Sequence, residues 1–181
     1  MIVYFSAVTS RRRDQGGEKS DPIGIGAALG LNLALSKGEL KLQNTNQNNQ
    51  PYLDYNLLDD AEDIRRYRDG VRMLVALEND PAMKNLIEYR LEPADADLET
   101  DDTLDLWIKK NVGTGHHISC TTKMGPVSDE MAVVDQHGKV YGVDNLRVAD
   151  ASIMPDCIRA NTNVTVMAIG EKIADFIKEG N

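Results

Sequence analysis

Ile64, Tyr67, Val71, Leu74 and Leu77 recur at steps of three and four residues, and any fold of this chain must cover the stripe they make. The spacing predicts an amphipathic helix from Ala61 to Glu78. Asp59 or Asp60 can cap its start, with Asp63 adding negative charge near the positive end. Arg65, Arg66 and Arg68 fall mostly off the stripe and read as a solvated face. A second helix is expected from Thr103 to Lys110, capped by Asp102 and burying Leu104, Trp107 and Ile108. A third runs to about Lys178, with Asn161 as its N-cap and Val166, Ile169, Ile173 and Ile177 as its buried stripe.

The other apolar segments have strand character. Residues 2–8 are rich in β-branched and aromatic side chains. Residues 23–35, Ser36 to Glu39, and Leu40 to Leu42 read as a strand, a tight turn and a returning strand. Ala132–Val134, Lys139–Tyr141 and Leu146–Val148 look like short strands separated by Gly138 and Gly142. Three stretches read as loops: residues 9–22 with Arg11, Arg12 and Arg13, the amide-rich residues 43–50, and the acidic residues 91–100. Helices and strands in separate runs indicate an α+β fold.

Charge narrows the class of partner. Twenty Lys and Arg against 29 Asp and Glu give a net charge of -9. Affinity for nucleic acid rests on basic contacts to phosphate, so nucleic acid is not an expected partner. No apolar run approaches the ~20 residues of a membrane span, and the opening residues lack the basic lead-in of a secretory signal. Cys120 and Cys157 cannot form a disulfide framework, which makes a reducing, cytoplasmic setting the default.

Short motifs compete for the chemistry. Gly24, Gly26 and Gly30 suggest a dinucleotide loop, but Leu29 holds the place of a required glycine and both flanks read as strand. Close strand packing accounts for these small residues better. His116, His117 and Cys120 make one half of a metal motif, with Cys157 far away, so no metal is assigned and a small metal-binding module is the weakest function class. A Cys–His nucleophile pair lacks any visible oxyanion hole. His137 sits in a polar turn and reads as surface, whereas Met124 and Met167 read as packing residues.

Three longer blocks carry more. GTGHHISCTTKMG spans residues 113–125, AVVDQHGKVYGVDNLRVADASIMP spans 132–155, and NTNVTVMAIGEKIADFI spans 161–177. In order and separation they resemble the C-terminal region of the glucose–methanol–choline family of FAD-dependent oxidoreductases. That family carries His-x-x-Gly-Thr-x-x-Met-Gly, then Val-Val-Asp with Leu-Arg-Val-x-Asp-Ala-Ser-x-x-Pro, then Asn-x-Asn before a last helix. Residues 24–58 are similar to part of its substrate-domain sheet, so the likeness covers most of the chain after Pro22.

The resemblance implies an antiparallel substrate-domain sheet flanked by helices, plus C-terminal strands and a helix that complete an FAD-binding domain. Residues 1–112 would belong to the substrate domain and residues 113–181 to the segment completing the flavin domain. His117 matches the active-site histidine and Asn161 the second catalytic position. Asp150 and Ala151 match the approach to the FAD chain, and Asn161, Thr162 and Asn163 the helix start facing the flavin ring. Cys120 stands where the family has glycine, and Thr122 where many members have Cys.

Elementary chemistry agrees with these roles. Histidine titrates near neutrality and can take a proton from an alcohol or hold the developing alkoxide. An Asn amide can donate a second hydrogen bond to the same oxygen. A helix start presents N–H groups and partial positive charge to a reduced flavin. Taken singly, His117 would be a satisfied core histidine and Asn161 only a cap; the three blocks together reverse that reading.

The implied reaction is hydride transfer from an alcohol carbon to flavin N5 with His117 as general base. The Gly-rich turn that grips the FAD pyrophosphate is expected on a separate N-terminal FAD-binding half. The competing class is a non-catalytic fragment or subunit lacking that half. Ile153, Met154 and the last helix are expected to be exposed where the missing half would lie.

Overall fold

A computed structural model describes residues 1–6 and 24–181. The loop expected over residues 9–22, with its three arginines, lies outside the described residues. The chain divides into two compact units. One comprises Met1–Leu31 and Leu58–Val112, the other Asn32–Leu57 and Gly113–Asn181. Residues 32–57 thus group with the C-terminal segment and not with the residues that flank them in sequence. The architecture is α+β, with small antiparallel sheets and separate helices.

In the first unit β1 (Ile2–Ser6) pairs antiparallel with β2 (Gly26–Gly30), Ile2 opposite Gly30 and Ser6 opposite Gly26. This replaces the pairing expected between residues 23–35 and 40–42. In this register Gly30 lies beside the Tyr4 ring, where a Cβ would make an ordinary contact at 3.4 Å. α1 (Ala61–Leu77) approaches this pair through a small residue of its own: at Gly70 a Cβ would collide with the Met1 side chain and lie 3.1 Å from Leu29 of β2. Ile64 and Val71 of the predicted stripe are buried, and Tyr67, Leu74 and Leu77 are half-buried. They meet Leu58, Leu104 and Ile108, with Leu29, Val75, Leu98, Trp107 and Val112 packed around them.

Asp60 caps α1, its carboxylate accepting from the Glu62 N–H at 2.8 Å. Removing a cap of this kind costs about 1 kcal/mol. Asp60→Ala is therefore expected to lower the unfolding free energy of this unit by roughly that amount, with Asp59→Ala near neutral, as read in a denaturant titration. Two arginines of α1 differ in role. Arg65 is exposed among Glu62 and Asp69, whereas Arg68 is only 18% exposed. Arg68 reaches Asp105 at 3.1 Å and Asp101 at 3.5 Å, tying α1 to the next helix, so it is not part of a solvated face.

That helix, α2 (Asp101–Asn111), begins before the expected Thr103. Thr100 and Thr103 cap each other reciprocally, each backbone N–H donating to the other's hydroxyl at 3.1 Å. Asp101 and Asp102 then fall in the first turn, where the helix end is positive. The acidic stretch expected to be irregular contains a one-turn 3-10 helix, Asp95–Leu98.

In the second unit β3 (Glu39–Lys41) pairs with β4 (Tyr52–Asp54) across the amide-rich loop. Backbones approach so closely at Gly38 that a Cβ would overlap the Asp54 carbonyl. The three strands expected after Ala132 are reduced to isolated bridges, Met124 with Val134, Val134 with Val140, and Lys139 with Arg147. Left-handed residues at Gly138, Gly142 and Asn145 reverse the chain every few residues and leave no room for a ladder. Val134, Ile153 and Ile173 form the buried centre of this unit.

The last helix, α3 (Asn163–Lys178), has Thr162 as its N-cap residue, so Asn161 lies one position outside and is not the cap. Its buried stripe also shifts. Ile173 is buried with Ile169 and Phe176 against it, while Ile177 is 57% exposed. His137, expected at the surface, packs edge-on against Phe176 with ring centroids 4.7 Å apart. Met124 packs into this core as expected, but Met167 is exposed. Ile153 and Met154, expected to be exposed, are buried at 2% and 4%.

Candidate functional site

The second unit gathers the three sequence blocks around the turn that carries His117. Residues 120–124 run beside the 3-10 turn Ala151–Ile153. Cys120, Thr122 and Met124 donate their backbone N–H groups to the carbonyls of Ala151, Ser152 and Ile153, at 3.2, 3.0 and 2.8 Å. The Thr122 and Ser152 hydroxyls meet at 2.6 Å and close the same seam. Asp150 begins the turn, its carboxylate accepting from the Ser152 N–H at 2.8 Å. The first and second blocks are thereby fixed to each other through main chain, which carries no sequence signal.

The third block joins through Thr162. His117 Nδ1 lies 3.0 Å from the Thr162 hydroxyl and accepts a longer contact, 3.5 Å, from the Thr162 N–H. Thr162 is 9% exposed, whereas the His117 ring is exposed. His117 is therefore not a core histidine. The partner at Nδ1 is the neighbour of Asn161, and a contact spanning 45 residues has no local signature by which sequence could have found it.

The remaining candidates are placed as follows. Asp150 and Asn161 are exposed, Ala151 is half-buried, and Asn163 is the first residue of α3 and exposed. His116 is exposed, in the left-handed region at φ 62°, its N–H accepted by the Thr114 hydroxyl. Cys120 is left-handed at φ 72°, which explains why glycine suits this position, since a side chain there is strained. Both cysteines are free thiols, and burial, with Asp156 beside it, pushes the Cys157 thiol above its usual value. Among the described residues no group of three or more His, Cys, Asp or Glu side chains could hold a metal ion. Nor is any helix among them long and apolar enough to cross a membrane.

The start of α3 lies beside His117. The side chain of its N-cap residue, Thr162, makes no capping hydrogen bond, and its hydroxyl lies against His117 instead. The N–H groups of a first turn have no intrahelical acceptor, and here they adjoin an exposed imidazole. Such an arrangement offers, within one turn of chain, a group that can hold a proton and a positive end that can face an anion.

The family described as GMC oxidoreductase matches residues 34–170. The oxygen-dependent choline dehydrogenase of Burkholderia thailandensis is 39% identical over 156 residues, covering 86% of this chain. This chain spans 27% of that relative's length. A formate oxidase crystal structure superposes with a TM-score of 0.81 at 28% identity, over 91% of this chain and 29% of that one. An FAD-dependent oxidoreductase from Chaetomium thermophilum does so with a TM-score of 0.72 at 32% identity, over 79% and 24%.

Proposed function

Because the chain belongs to the GMC oxidoreductase family through the match of residues 34–170, we propose that it is the C-terminal part of an FAD-dependent alcohol oxidoreductase. The observation that carries this reading is the contact between His117 and Thr162, which sets an exposed imidazole at the start of α3. In its bound state FAD supplies the hydride acceptor, flavin N5, for the hydrogen leaving the alcohol carbon.

The chain's own residues handle the oxygen and the charge. His117 accepts the alcohol proton at Nε2, the ring nitrogen that Thr162 does not occupy. Asn161 donates from its side-chain amide to the same oxygen and cannot compete as an acid. At the start of α3, Thr162 and Asn163 would turn the helix's positive end to the flavin ring, and Asp150 and Ala151, at the 3-10 turn, would border the FAD chain. Residues 1–112 supply part of the substrate domain, and residues 113–181 complete the flavin domain.

The partner in this scheme is an N-terminal FAD-binding half that grips the pyrophosphate, and the substrate is a small alcohol, choline being the one named for the relatives. Exposed apolar residues of the second unit, Val164 and Met167 on α3 among them, are the surface such a half would cover. A cytoplasmic setting accords with the two free thiols.

Mixing the chain with a polypeptide corresponding to the N-terminal remainder of such a relative tests the reading. Visible flavin absorbance is expected to be retained on the pair and bleached by an alcohol under anaerobic conditions, while the chain alone stays colourless. A pair that holds flavin but is never bleached by any of a panel of alcohols, choline included, would instead identify a non-catalytic subunit.

A further inference from the structure

Cys120 and Cys157 take no part in the proposed chemistry, yet one carbonyl draws their segments together. The Ala151 oxygen accepts two N–H groups, from Cys120 and from Met154, each at 3.2 Å. The backbones of residues 120 and 154 therefore meet at a single atom. Met154 is buried at 4%, and Cys157 follows it in the chain within a reach of about 10 Å. The Cys157 N–H is held by the Asp156 carboxylate at 2.8 Å, and the Cys120 sulfur lies 3.3 Å from the Ser119 hydroxyl. Both thiols are free and half-buried. They are also near enough to feel each other: burial first, then the Asp156 carboxylate, then the charge of a Cys120 thiolate push the Cys157 thiol above its usual value.

We propose that Cys120 and Cys157 form a redox-modification site, a dithiol that hydrogen peroxide closes to a disulfide. In the first step the Cys120 thiolate attacks one peroxide oxygen. An S–O bond forms, the O–O bond breaks, and the departing hydroxide takes up the proton the thiol released, giving water and a sulfenic acid. In the second step the Cys157 sulfur attacks the Cys120 sulfur, so that the S–S bond forms and the S–O bond breaks. The hydroxide that leaves takes the Cys157 proton and becomes a second water. The two sulfurs together lose two electrons, and one peroxide is reduced to two waters. Cys157, the thiol held back from ionising, takes the second step. In a reducing compartment such a bridge is transient and is undone by thiol exchange. It would join the turn that carries His117 to the loop that leads into α3, two segments that the contact between His117 and Thr162 already brings together.

The test treats the full chain with hydrogen peroxide, caps the remaining thiols with iodoacetamide and reads a non-reducing peptide map. A peptide linking Cys120 to Cys157 is expected, two hydrogens lighter than the sum of its parts, and dithiothreitol should remove it. In Cys157→Ser the sulfenic acid has no second thiol to meet, so dimedone should trap it at Cys120. Overturning results are acid oxidation at both cysteines of the wild-type chain without a link, both thiols still capped, or links only between two chains.

A glutathione titration separates a site built by the fold from chance encounter of two thiols. Thiols held together by the fold have the higher effective concentration, so half of the folded chain should be bridged at a glutathione ratio at least ~10-fold more reducing than in urea. Equal ratios in the two conditions overturn the proposal as well. If Cys157→Ser fails to fold, the wild-type map and the titration still decide it. Neither measurement involves flavin or alcohol, so the outcome is independent of the flavoenzyme reading.

Discussion

His117→Ala in the assembled, FAD-loaded form is expected to lower the rate of flavin reduction by alcohol about 10²–10⁴-fold, the usual loss on removing a positioned general base. Stopped-flow bleaching of the flavin measures it directly. Flavin retention should be unchanged, because the imidazole makes its contact with Thr162 at the start of α3 and the pyrophosphate is gripped elsewhere. His116→Ala supplies the contrast. Its ring is also exposed, but its backbone is in the left-handed region and its N–H is turned to Thr114. A small effect is expected there, and an exchange of the two outcomes would place the base at His116. Reduction that proceeds normally in both variants would leave the chain without a base in this turn.

The largest expected loss of stability follows from Leu104→Ala. Leu104 is fully buried, at the centre of the cluster made by Leu58, Ile64, Val71 and Ile108. Truncating such a residue removes apolar surface from contact and leaves a cavity that the helices fill only in part, which costs about 2–5 kcal/mol. The chain's single tryptophan, Trp107, lies half-buried against the same cluster. Its fluorescence therefore reports the unfolding of the first unit. A midpoint in urea unchanged from the wild-type chain would show that the cluster is not what holds α1 to α2. Leu106→Ala, on the exposed face of the same helix, should leave the midpoint nearly where it was.

Local physics made part of this protein readable from its residues. The stripe from Ile64 to Leu77 and the carboxylate of Asp60 act within a few residues of each other, so periodicity and cap chemistry located α1. The same local rules misplaced the starts of α2 and α3. Thr100 and Thr103 satisfy each other, and Thr162 gives its hydroxyl away; neither choice is visible in a ranking of capping residues. The ordered blocks around His117, Asp150 and Asn161 pointed to a family because several motifs in fixed order and spacing are far more specific than any one short motif.

What tertiary structure alone decided lies in contacts between residues far apart in the chain. β2 paired with β1 rather than with Leu40 to Leu42, and α1 meets Leu29 of β2 through Gly70, facts about facing surfaces. Ile153 and Met154 went inside because the turn they end is sewn to residues 120–124 by main-chain hydrogen bonds that any sequence could make. His117 met Thr162 across 45 residues, through a hydroxyl whose alternative partner was its own helix. Periodicity and caps are short-range, so the sequence determined the helices and the residue types available for chemistry. Which of those residues touch depends on how the loops close, and that was settled by packing and by backbone groups that are alike in every residue.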